Sequence, residues 1–123
     1  IPFNLQGLSH FLVAAILGYE GGIGVRSGCF CAHPYVVHLL HLDDASANSW
    51  RDQLLGGDKS NMPGMVRASF GCYNDTGDVD RLLEMLERIA RHDYAGTYEL
   101  NRATGEYRPA NFMENLSDSF LLD

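Results

Sequence analysis

Two cysteines and the arginine before them have the residue types and the spacing to do chemistry. Cys29 and Cys31 are separated by one residue in a loop flanked by glycine, and Arg26 lies just upstream. A nearby cation lowers the pKa of a thiol and increases the fraction of thiolate, which is the nucleophilic form. Free cysteines are nevertheless often simply buried. The pair is therefore either a nucleophilic site or two partly buried thiols.

Arg67 is the second candidate, because it lies inside the apolar segment 65–70. An arginine in such a segment is costly to bury unless its charge is paired. The guanidinium fork binds a carboxylate through two parallel hydrogen bonds. Arg67 is thus either a binding group for a carboxylate ligand or half of an internal ion pair with Asp or Glu. The same two interpretations apply to Arg26.

Metal binding is an alternative for the cysteine segment. Cys29 and Cys31 are followed by His33, His38 and His41, all within thirteen residues. Zinc accepts both residue types, but a closed site needs four convergent ligands, and cysteine pairs at zinc are more often separated by two to four residues. A free-standing zinc-binding or regulatory module therefore stays open as an alternative, although no metal ligand is assigned.

The elements that position these residues follow from hydrophobic periodicity and capping signals. Ser9 is the expected N-cap of a first helix, in which His10 is a packing or surface residue. An apolar stripe from Val79 to Ala90 predicts the strongest helix. The other predicted elements are strands at 1–5, 23–27 and 65–70, a short helix at 34–42 and a hairpin between residues 98 and 108.

This order predicts an α+β fold with a small three- to four-stranded sheet and helices packed on one face. Residues 1–93 are expected to form the domain, with 43–62 as an inserted surface loop. Residues 94–123 are expected to be a C-terminal extension with the hairpin and an acidic tail.

Composition limits the function classes. The chain has 123 residues, of which 46% are hydrophobic, and this indicates one domain. Its net charge of −7 argues against binding nucleic acid, where phosphate neutralisation dominates affinity, and against anionic membranes. No apolar run approaches the ~20 residues of a membrane span. Three cysteines without a signal peptide predict a reducing, cytoplasmic setting rather than a disulfide scaffold.

Two segments together resemble class V aminotransferases, the family that contains cysteine desulfurases and selenocysteine lyases. The segment 24–34, GVRSGCFCAHP, resembles the family's R-[ST]-G-x-x-C-A-x-P stretch. The segment 66–82, with VRASF, then YN, then DVDRL, resembles its x-R-A-S-x-x-x-Y-N-t-x-x-D-v-d-x-L stretch. Order and approximate spacing agree from residue 1 to about 92. The sequence Cys-Phe-Cys at 29–31 and the long interval at 43–62 depart from the usual desulfurase pattern.

The resemblance implies the C-terminal small domain of a pyridoxal-phosphate-dependent enzyme. The N-terminal large domain of the same protein would supply the Schiff-base lysine, the phosphate contacts and the aspartate at the pyridine nitrogen. Lys59 is the only lysine here, so the isolated fragment is expected to bind no cofactor well and to be inactive. The parent enzyme is expected to be a homodimer that acts on L-cysteine or a similar amino acid and passes sulfur to an acceptor protein.

The resemblance also assigns roles to individual residues. Arg67 matches the arginine that holds the substrate α-carboxylate, and Arg26 matches a second active-site arginine. Cys31 matches the cysteine that attacks the substrate sulfur and carries it as a persulfide. Cys29 occupies a variable position and is either a bystander or a relay. Within the same family the alternative is a transaminase, epimerase or lyase in which Cys31 is only structural.

Overall fold

The computed structural model describes residues 1–112. The predicted α+β class is confirmed, with two small antiparallel sheets and helices of seven to fifteen residues. No helix in the described part of the chain is long and apolar enough to cross a bilayer. In chain order the elements are β1 (Pro2–Phe3), α1 (His10–Tyr19), β2 (Arg26–Gly28), α2 (His33–Leu39), α3 (Asp44–Leu55), β3 (Met65–Arg67), α4 (Thr76–Ala90), β4 (Tyr98–Leu100) and β5 (Tyr107–Pro109).

The central sheet has β3 in the middle, with β1 and β2 antiparallel on either side. Arg67 of β3 is in register with Pro2 on one side and with Arg26 on the other. Successive side chains of a strand point to opposite faces. Val66 and Ala68 are buried in the core, so Arg67 points to the opposite face. Arg26 shares that face with Arg67, because the two are directly paired.

The core lies on the helical side of the sheet and is built by α1, β3 and α4. Helix α4 begins with a capping box. The Asp75 side chain accepts from the backbone N–H of Asp78, and the Asp78 side chain accepts from that of Asp75. The buried core residues are Val13, Ile16, Leu17, Val66, Ala68, Leu82, Met85 and Ile89.

Helix α1 is apolar on all its sides, with the sequence HFLVAAILGY. Ser9 caps it as predicted, by accepting from the N–H of Phe11. A helix of this kind must be covered on more than one side. The sheet and α4 cover one side, and β5 of the C-terminal hairpin contacts another. The hairpin is thus part of the packing of α1.

Glu20, directly after α1, connects this helix to the residues around β4. Its carboxylate accepts hydrogen bonds from the backbone N–H groups of Ala95 at 3.0 Å and Gly96 at 2.9 Å, and from the Tyr98 hydroxyl at 3.0 Å. Burial by itself raises the pKa of Glu20, but these donors outweigh it and the net pKa is lowered. The charged form of Glu20 therefore fastens the hairpin to α1.

Two expectations about local structure are wrong. The segment 43–62 is not a loop throughout, because it contains the twelve-residue helix α3. Asp43 caps α3 by accepting from the N–H of Ser46 at 2.8 Å. The strand expected at 23–27 begins only at Arg26, because Ile23 and Val25 pack against the core from outside the ladder.

The hairpin expected after residue 93 is confirmed by the pairing of β4 with β5, in which Leu100 faces Tyr107. Most of the expected acidic tail, at 113–123, lies outside the described residues. The division of the chain at residue 93, and the status of 43–62 as an insertion, stay predictions.

Candidate active site

The paired arginines form the centre of the candidate site. Arg26 of β2 lies directly opposite Arg67 of β3, and residues so paired have Cβ atoms about 4.5–5.5 Å apart. Like charges placed opposite each other destabilise a sheet. Among the described residues no carboxylate forms an ion pair with either arginine. The internal ion pair considered for Arg67 is therefore not seen in residues 1–112, and the pair is suited to an external anion.

Phe30 covers the guanidinium of Arg67. The Arg67 Cζ atom lies 4.8 Å from the centre of the Phe30 ring, which is a cation–π contact. The Nε of Arg67 is buried and has no hydrogen-bond partner among the described atoms. The aromatic ring therefore holds one face of the guanidinium plane, and no described acceptor competes with a ligand for its N–H groups. Sequence reasoning did not single out Phe30, because only the strand register brings Arg67 against its ring.

The cysteine loop has a constrained backbone. Phe30 and Cys31 both lie in the left-handed region, with φ of 52° and 61°, which costs a non-glycine residue roughly 1–2 kcal/mol. The Ala32 N–H donates to the Cys29 carbonyl at 2.8 Å and closes the turn. The side chain of Cys31 is exposed. Cys31 directly follows Phe30, whose ring contacts Arg67, so its exposed thiol belongs to the loop that borders the arginine pair.

Cys29 has a different environment from Cys31. Its thiol is buried and donates to the carbonyl oxygen of Pro63 at 2.7 Å. Burial raises the pKa of this thiol. Of the two loop cysteines, Cys31 is thus the accessible one, whereas the Cys29 thiol is buried and hydrogen-bonded, and burial favours its protonated form.

His10 has the packing role that its position predicts. It is 7% exposed, and its Nε2 donates to the carbonyl oxygen of Met62 at 2.9 Å. Burial lowers the pKa of His10 more than this hydrogen bond raises it. A cavity of about 480 Å³ borders this histidine and Trp50, but neither the arginine pair nor Cys31 lines it. His10 is a neutral packing residue rather than part of the candidate site.

The site residues fit a substrate better than a metal or a resident cofactor. In residues 1–112, no group of three or more His, Cys, Asp or Glu side chains is placed to hold a metal ion. A pyridoxal-phosphate enzyme holds its cofactor through a lysine. Lys59, the only lysine of the chain, is exposed after α3, and its backbone N–H is bound to the Arg102 carbonyl at 2.8 Å. Lys59 is thus the one lysine that this chain offers for that bond, and it lies at the surface.

The class V aminotransferase family model matches residues 1–82, from β1 into α4. The chain belongs to the class V aminotransferase family. The matched part of this class V aminotransferase chain contains the arginine pair, the cysteine loop and β3. The candidate site thus lies entirely within the segment that defines the family.

The curated relatives include two kinds of sulfur enzyme. The molybdenum cofactor sulfurase of Drosophila willistoni is 33% identical over 99 residues, which cover 72% of this chain and 12% of that protein. The probable cysteine desulfurase of Methanothermobacter thermautotrophicus is 35% identical over 91 residues, covering 73% of this chain and 18% of that protein. A probable cysteine desulfurase of Treponema pallidum is 31% identical over 91 residues, with coverage of 74% and 17%.

This class V aminotransferase chain spans less than a fifth of the length of these relatives. No solved structure matches it.

Proposed function

We propose that the chain is the C-terminal small domain of a longer pyridoxal-phosphate-dependent enzyme that takes sulfur from L-cysteine or a similar amino acid. The observation that carries this proposal is the pair Arg26–Arg67, which no described carboxylate balances and which lies beside a loop with the exposed thiol of Cys31. The relatives named cysteine desulfurase and molybdenum cofactor sulfurase support the same chemistry.

Arg67 binds the α-carboxylate of the substrate in a bidentate manner. The Phe30 ring, 4.8 Å from the guanidinium carbon, fixes the plane of the fork and keeps water from that face. Arg26, opposite Arg67 in the ladder, adds a second positive charge. A bound carboxylate also relieves the repulsion between the two arginines, so binding of the anion and stability of the sheet favour each other.

Cys31 accepts the sulfur. Its thiolate attacks the substrate sulfur, so that an S–S bond forms while the C–S bond breaks. The electron pair of the broken bond stays with the substrate carbon, which takes a proton and becomes the methyl group of alanine. Cys31 is left with a persulfide. Pyridoxal phosphate, held by the N-terminal large domain, supplies the electron withdrawal that weakens the bonds of the substrate.

Three further properties belong to the proposal. The isolated fragment is inactive, because the N-terminal large domain supplies the lysine and the phosphate contacts for the cofactor. The parent enzyme is a homodimer in the cytoplasm. It passes the persulfide sulfur to an acceptor, for which the insect relatives' name makes the molybdenum cofactor one candidate.

The experiment is Cys31→Ser in the full-length protein, with sulfide release from L-cysteine in the presence of a reductant as the measurement. We expect the rate to fall to that of a control without enzyme. Cys72→Ala is the matched control, because Cys72 is also exposed but lies outside the site, and it should keep the wild-type rate. Full activity of Cys31→Ser would contradict the role of the thiol and favour the transaminase, epimerase or lyase alternative.

A further inference from the structure

Cys29 has no part in the proposed sulfur transfer, yet its side chain is held firmly. It is 6% exposed. Its Sγ lies 2.7 Å from the carbonyl oxygen of Pro63, which is 34 positions further along the chain. The raised pKa of this buried thiol keeps it protonated, so it is able to donate. The contact therefore joins two distant parts of the chain at the candidate site.

The segment 62–64, which receives this hydrogen bond, is fixed along its whole length. Its three carbonyl oxygens accept, in order, from His10 Nε2 at 2.9 Å, from the Cys29 thiol at 2.7 Å and from the Asn4 side-chain amide at 3.1 Å. The packing is close as well, since a Cβ on Gly64 would lie 2.6 Å from His10 Nε2. Segment 62–64 is thus held in place by hydrogen bonds and close packing, and it can fix the position of the Cys29 side chain that is bonded to it.

The two parts joined by Cys29 are those that carry the candidate site. Segment 62–64 leads directly into β3, which ends with Arg67. On the other side, Cys29 is followed by Phe30 and Cys31, whose φ angles of 52° and 61° are unfavourable for side chains. A backbone of this kind persists only when the surrounding contacts determine it. The bond from Cys29 to segment 62–64 is such a contact.

We propose that Cys29 is a positioning residue, whose buried thiol fixes the loop of Cys31 relative to the arginine pair and does not itself carry sulfur. The proposal rests on the proposed function, since it concerns the same thiol and the same carboxylate site. This role differs from both roles left open for Cys29, the bystander and the relay. A relay needs an accessible thiolate, whereas the Cys29 thiol is buried and hydrogen-bonded.

The test compares Cys29→Ala with Cys29→Ser in the full-length protein, both in a Cys72→Ala background. Alanine removes the donor, whereas serine keeps a hydroxyl donor and cannot form a persulfide. We expect Cys29→Ala to lower kcat/KM for sulfide release by about tenfold, the scale of one lost hydrogen bond. We also expect it to increase hydrogen–deuterium exchange in the peptide covering residues 28–32. Cys29→Ser should stay within about threefold of the parent in kcat/KM, with the parent's exchange pattern.

Two results would overturn the proposal. If Cys29→Ser loses activity while its loop stays protected, the sulfur atom takes part in the chemistry and Cys29 is a relay. If both variants match the parent in rate and exchange, Cys29 is a bystander. Should Cys29→Ala fail to fold, Cys29→Ser alone decides between positioning and relay. If the parent itself releases no sulfide, the proposed function fails, while the exchange data still decide whether Cys29 fixes the loop.

Discussion

Replacing Arg67 by methionine in the full-length protein separates a carboxylate-binding arginine from a structural one. Methionine keeps an apolar stem of similar length and removes the charge. The lost cation–π contact with Phe30 is worth about 0.5–1 kcal/mol. Removing a like charge opposite Arg26 should stabilise the folded sheet by about 0.2–1 kcal/mol. These contributions nearly cancel, so we expect the free energy of unfolding to change by less than about 1 kcal/mol.

The effect of the same substitution on catalysis should be much larger. A bidentate pair provides two charge-assisted hydrogen bonds, each worth about 1.5–3 kcal/mol. Arg26 remains in place and keeps part of the attraction for the carboxylate. A net loss of about 3–4 kcal/mol corresponds to a decrease in kcat/KM of about 10² to 10³. Arg67→Lys keeps the charge without the fork, and it should be intermediate, with a decrease of about tenfold.

The assay is steady-state sulfide release from L-cysteine, combined with urea unfolding of each variant. The reasoning is refuted if Arg67→Met keeps kcat/KM within about threefold of wild type. It is equally refuted if Arg67→Met loses about 3–5 kcal/mol of stability, the scale expected when one partner of a buried ion pair is removed. The second result would mean that Arg67 has a structural anionic partner in the full-length protein.

Three substitutions test stability alone. Glu20→Gln should cost roughly 1 kcal/mol at neutral pH, allowing for partial exposure, because the amide accepts fewer of the three hydrogen bonds. The pKa of Glu20 is lower in the folded chain than its unfolded value of 4.5. The contribution of Glu20 to the free energy of unfolding is therefore fully present above pH 4.5 and is lost as the pH falls through the folded pKa. The variant's thermal midpoint should thus vary less with pH in acid than the wild type's, and identical pH profiles would contradict this. Gly64→Ala should cost about 1–3 kcal/mol by overpacking, since its Cβ would lie 2.6 Å from His10 Nε2 and 2.8 Å from the Gly28 Cα. Gly18→Ala, with nothing within 4 Å, should be stabilising by about 0.5–1 kcal/mol in urea unfolding, and equal losses at both glycines would contradict the packing argument.

The elements with a strong local signal could be predicted from the sequence. The first helix and α4 have caps and apolar residues at helical spacing, and both were located correctly. Helix α3 was missed because DASANSWRDQLL has no apolar stripe, although the capping signal at Asp43 was available. The second strand was predicted to begin too early in the chain. Ile23 and Val25 are residue types that favour strands, but their side chains pack against the core outside the sheet. Whether a buried apolar residue also pairs in a sheet depends on tertiary packing, and the spacing of apolar residues in the sequence does not show this.

For the candidate site, the sequence identified the residues but not their relations. Arg26, Arg67 and Cys31 were all named from residue type, spacing and resemblance. That the two arginines are direct cross-strand neighbours follows only from the register of β2 on β3. The difference between Cys29 and Cys31, one buried and one exposed, comes from the contact with Pro63. Neither the register nor this long-range contact leaves a local trace in the sequence.

The all-round apolar character of α1 has a consequence for biosynthesis. The contacts that join Glu20 to residues 95 and 96 span 75 and 76 positions of the chain. At ribosomal rates of about 5–20 residues per second, roughly 4–15 s separate the synthesis of α1 from that of the hairpin that covers it. During this interval an apolar helix is available to chaperones and proteases. The later-made hairpin therefore controls how long one side of α1 is vulnerable, and a chain that stops before residue 94 leaves that side of the helix uncovered permanently.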